Sequence, residues 1–79
     1  MGYLSPRELQ LLEALKTVPT DGLSKQEAGK KIGIAPMMAD VFLHLLRSQG
    51  YAALTANRYY ITQAGVNRLQ QAALPGMNL

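Results

Sequence analysis

The sequence predicts a mostly helical α+β domain: three helices, a β-hairpin and a closing helix. Three observations predict it. Two Ser-x-x-Glu boxes, Ser5-Pro6-Arg7-Glu8 and Ser24-Lys25-Gln26-Glu27, each open a helical pattern. Gly22, Gly33 and Gly50 stand where such patterns should turn or stop. Past Gly50 the period changes: two short runs, 51–55 and 58–62, precede a return to helical spacing.

The first helix is expected at roughly 6–17. Ser5 can accept from the Glu8 backbone N–H, Glu8 can reach back to Ser5, and Pro6 suits the first helical position. Leu9, Leu12, Leu15 and Val18 form an apolar stripe that Leu11 broadens, and Pro19-Thr20-Asp21-Gly22 turns the chain. The second helix, roughly 25–32, turns Ala28 and Ile32 inward. Gly29 inside it costs about 1 kcal/mol against alanine, the mark of a close approach by another segment. Gly33 makes the tight turn and Ile34 plugs the core beneath it. Pro36 opens a third helix that runs to Gln49, with Gly50 as its left-handed stop. Ala56-Asn57 joins the two strands of the hairpin, whose adjacent Tyr59 and Tyr60 face opposite ways. Thr62 caps a last helix at roughly 63–73, with Val66 and Leu69 as its inward pair. One domain, 1–74, and a loose tail, 75–79, account for the chain.

Composition narrows the function. The 79 residues hold no cysteine and one histidine, which excludes disulfides and a thiolate metal site and leaves too few ligands for a His-based one. No nucleophile–base pair, phosphate loop or acid–base pair stands out, so an enzyme, a cofactor or a small-molecule substrate is not expected. Lys+Arg number 8 and Asp+Glu 5, a net charge of +3 that permits nucleic-acid binding without requiring it. No apolar run is long enough for a signal peptide or a membrane span, and the expected location is the cytoplasm.

Leu43-x-x-Leu46-x-x-x-Gly50-Tyr51 and Tyr59-x-Ile61-Thr62-x-x-Gly65-x-x-x-Leu69, together with the helix–glycine turn–helix before them, resemble the winged helix-turn-helix family of small bacterial and archaeal DNA-binding regulators, phage- and plasmid-borne ones among them. The resemblance runs from about Ser5 to Ala73. It implies a three-helix core, a hairpin wing and a C-terminal helix, with double-stranded DNA as the partner. It also implies that the start of helix two and the wing grip phosphates, places that Ser24, Lys25, Gln26, Asn57 and Arg58 occupy here. Helix three is the reader in such proteins.

That reader departs from the family pattern. At about 100° per residue, Ala39, Phe42, Leu43 and Leu46 share one side, the core side. Met37, Val41, His44 and Ser48 lie opposite, with Asp40 and Arg47 on one flank and Met38 and Leu45 on the other. The first two turns offer no cation. Asp40 would face a phosphate or accept from a cytosine amine, and methionine and valine can touch only a thymine methyl, so direct base reading is expected to be poor. Specificity would then come from DNA shape or from a dimer. Met37, Met38, Asp40, Val41, His44 and Arg47 nevertheless join the expected DNA-binding set. Two other readings of the apolar row stay open. Met37, Met38, Val41 and Leu45 could anchor a protein partner, or the tail or Tyr3 could cover them. The leucines and alanines of helices one and four could build a homodimer seam or close the monomer core.

Overall fold

A computed structural model describes residues 4–73, with side chains through residue 71. The expected tail and Tyr3 lie outside the described residues. Both serine boxes form. Ser5 Oγ accepts from the Glu8 N–H at 3.4 Å while the Ser5 N–H donates to Glu8 Oε1 at 2.9 Å, opening α1 (Pro6–Lys16). Ser24 and Glu27 repeat the exchange at 3.1 and 3.0 Å to open α2 (Lys25–Ile32). Gly33, at φ +76°, closes α2 in the left-handed region that a side chain would resist. Pro36 opens α3 (Pro36–Ser48), and Gly50 follows its end.

The hairpin pairs β1 (Ala52–Thr55) with β2 (Arg58–Ile61) in antiparallel register, Ala52 opposite Ile61 and Thr55 opposite Arg58. Its two-residue turn holds Ala56 at φ 51° and Asn57 at φ 65°, the paired positive angles whose twist matches the strands. Leu23 adds an antiparallel bridge: it exchanges two backbone hydrogen bonds with Tyr59, at 2.9 and 2.8 Å. A one-residue bridge has no period to read. Thr62 then accepts from the Gly65 N–H at 3.1 Å and donates to the Gly50 carbonyl at 2.6 Å. It caps α4 (Gln63–Ala73) and ties that helix to the end of α3.

The core gathers Leu11, Leu12 and Leu15 of α1, Ala28 of α2, Ala39, Leu43 and Leu46 of α3, Leu23, Ala52 and Tyr59 of the sheet, and Leu69 of α4. The α1 leucines and Leu69 therefore close the monomer core. Val66, expected beside Leu69, is half-buried, and Phe42 packs against the core from its edge. Two glycines admit backbone where a side chain would not fit. A Cβ on Gly29 would stand 2.6 Å from the Ile34 carbonyl, so the turn into α3 presses on α2. A Cβ on Gly65 would collide with the Tyr51 carbonyl and the Ile61 side chain, where α4 crosses the base of the wing. Glu8, the one buried charged side chain among the described residues, also accepts from Gln49 Nε2 at 3.4 Å, linking the start of α1 to the end of α3.

Candidate nucleic-acid interface

The beginning of α2, the flank of α3 and the tip of the wing enclose a polar cleft of about 460 Å³. Ser24, Lys25 and Gln26 line it from α2, Asp40 and His44 from α3, and Leu54, Asn57 and Tyr59 from the hairpin. Each side chain arrives for a local reason. The Ser24 cap aims the first turn of α2 at the cleft. The left-handed Ala56–Asn57 turn brings Asn57 into its lining. The core stripe of α3 turns Asp40 and His44 toward the wing.

The cleft has an ordered floor. The Tyr59 hydroxyl donates to Asp40 Oδ1 at 3.1 Å, His44 Nε2 stands 3.6 Å from Asp40 Oδ2, and the His44 and Tyr59 rings meet edge-on with centroids 5.8 Å apart. Burial first, and then the bond to Asp40, push the Tyr59 phenol up to about 12. A raised value means that the folded state holds the proton through the range where an unfolded tyrosine loses it. The resulting stabilisation is full below about pH 10 and is lost as pH climbs toward 12. Tyr59→Phe is expected to flatten the fall in thermal midpoint between those two pH values, relative to the wild type, as read by circular dichroism. An unchanged slope would show that Tyr59 ionisation is not coupled to folding.

Arg58, expected among the DNA-binding residues at the wing, does not line the cleft. Its Nε donates to the Asp21 carbonyl at 2.8 Å, and one terminal nitrogen donates to the Gly22 carbonyl at 3.2 Å and to Glu27 Oε1 at 2.8 Å. The Ser24 backbone N–H foremost, and then Arg58, hold the Glu27 carboxyl below its ordinary range. Arg58 thus fastens the wing to the start of α2 and lines a separate depression with Lys30 and Lys31, not the cleft. The structure therefore brings Ser24, Lys25, Gln26, Asp40, His44 and Asn57 together and leaves Arg58 apart. Sequence reasoning missed Tyr59 and Leu54 as lining residues. The alternation of Tyr59 and Tyr60 was the available signal, but it did not say which ring was inside. Outside the cleft, Met37, Met38, Val41 and Leu45 form an exposed apolar row, 79, 51, 51 and 44% accessible. Arg47, exposed at the end of α3, is close enough to act electrostatically on Tyr59.

This arrangement of helices, bridge and wing is the winged-helix fold. No family model matches the chain, and no curated relative does. Solved structures do. The chain is similar to the Mycobacterium tuberculosis MarR family protein Rv2887, with a TM-score of 0.80 and 24% identity, over 89% of this chain and 52% of that one. The same protein in complex with DNA gives a TM-score of 0.79, 24% identity, and 89% and 54% coverage. MepR, a transcription regulator of the Staphylococcus aureus multidrug efflux pump MepA, gives 0.74 at 17% identity, over 95% of this chain and 61% of MepR. The match thus spans about half the length of the Rv2887 chains. Among the described residues no helix is long and apolar enough to cross a membrane.

Proposed function

We propose that this domain binds duplex DNA as a small transcription regulator or DNA-binding accessory factor, with α3 toward the major groove and the cleft straddling a strand. The observation that carries the reading is the cleft itself. The capped start of α2 with Lys25, the wing-tip Asn57 and the outer side of α3 converge on one surface, in a fold whose similar structures include a DNA complex. Ser24, Lys25, Gln26 and Asn57 would hold phosphates, while Arg58 supports them by keeping the wing in place. Arg47 would meet the backbone at the far end of α3.

The exposure of Met37, Met38, Val41 and Leu45 is what a protein-contact module would also show. The comparisons do not favour that reading, because the similar structures are those of MarR-family and transcription regulators and one of them is held on DNA.

Fluorescence anisotropy with a pool of random-sequence duplexes at low salt is the test. Binding is expected. Lys25→Ala should weaken it about fivefold near physiological salt, the effect of one lost phosphate contact. Arg58→Ala should instead lower the melting temperature. An absence of binding to any duplex at low salt would overturn the reading.

A further inference from the structure

We infer that α3 reads the C5 methyl groups of thymine in the major groove, with Met37 and Val41 at the centre of the contact; this rests on the DNA-binding reading above. Two polar side chains near the outer face of α3, Asp40 and Ser48, already have partners. Asp40 accepts from Tyr59 and faces His44, so its carboxylate is turned toward the wing. The Ser48 hydroxyl donates to the Leu45 carbonyl at 2.8 Å. Within the first two turns, what projects farthest is apolar: Met37 is 79% accessible, Met38 and Val41 51%.

Met37 and Val41 are one helical turn apart and lie on the same face, so they can press on successive steps of one groove. The row shares α3 with the polar cleft, whose Asp40 and His44 fall between Met38 and Leu45 in sequence. On the DNA-binding reading, a strand held in the cleft would bring the major groove toward this helix and these side chains. In the major groove an apolar side chain can tell thymine from the other bases by its methyl group alone. The unbranched methionine can adjust to the offset between neighbouring methyls, and the stiff valine fixes one position. The expectation of poor base reading concerns hydrogen bonds; the proposed specificity of the face lies in apolar contact.

The test uses one duplex selected from the random pool by binding, synthesised once with thymine and once with deoxyuridine at every thymine. Deoxyuridine keeps the base-pairing groups and removes only the methyl. Affinity should fall about fourfold for each methyl contacted, the ratio given by burying one methyl group, or about 15-fold for two. Met37→Ala/Val41→Ala, a change of two exposed side chains, should bind the two duplexes within a factor of about two, while keeping the salt dependence of the wild type. Equal wild-type affinity for both duplexes would overturn the methyl reading and leave DNA binding standing. A failure to bind any duplex at low salt would overturn both. A deoxyuridine penalty that persists in the double variant would overturn the assignment to these two residues.

Discussion

Leu43→Ala is expected to lower the thermal midpoint of this domain by about 15–25 °C. Leu43 sits on α3 with no accessible surface, among the largest fully buried side chains of the core. Truncating such a leucine removes its transfer free energy and leaves a cavity, a loss of about 3–4 kcal/mol in the middle of the measured range. A domain of this size starts near the low end of ordinary stability, so a loss on that scale is a large share of the whole. For 60–100 residues each kcal/mol moves the midpoint by about 4–8 °C. The contrast lies two residues away. Val41→Ala, on the exposed side of the same helix, should stay within about 0.5 kcal/mol of wild type. Thermal melts of the two variants by circular dichroism check the assignment of α3 faces. A Leu43→Ala midpoint within a few degrees of wild type would contradict it.

How well the fold could be read from the sequence follows from the range of each interaction. The serine boxes, the proline at the start of α3 and the glycine stops act within four residues, and the helices begin and end close to where those residues put them. The faces of α3 were also legible. The 3.6-residue period places Ala39, Leu43 and Leu46 inward, and these three are fully buried. What escaped depends on partners distant in sequence. Arg58 finds Asp21, Gly22 and Glu27 at separations of 37, 36 and 31 residues. Nothing near position 58 announces that its guanidinium is committed to the scaffold. The Tyr59–Asp40 bond spans 19 residues and ties to the wing a carboxylate that the helical wheel alone places on a flank of α3. Of the candidate site, the resemblance located the start of α2 and the wing tip. The shared cleft and its floor needed the packed structure.

A second large effect is expected in solution. Lys25 at the cleft and Arg47 at the end of α3 border the proposed DNA surface. If each neutralises one phosphate, the slope of log affinity against log salt is about −1.8 for a single domain, and raising salt from about 50 to 200 mM costs about 12-fold. Two copies on a two-fold site double the slope to about −3.6 and the loss to about 150-fold. The same titration therefore reports the number of domains on the duplex, and a mass measurement of the complex checks the count. A slope near zero would remove the phosphate contacts from the account.

The central claim is that one surface, made by the start of α2, the outer side of α3 and the tip of the wing, meets duplex DNA. The most direct measurement is a two-dimensional NMR titration of the isotopically labelled chain with a short duplex at low salt. Amide shifts concentrated at Ser24, Lys25 and Gln26, along Met37 to His44 and at Asn57, with α4 unmoved, are the result expected. Shifts confined to α1 and α4, or none at saturating DNA, would contradict it.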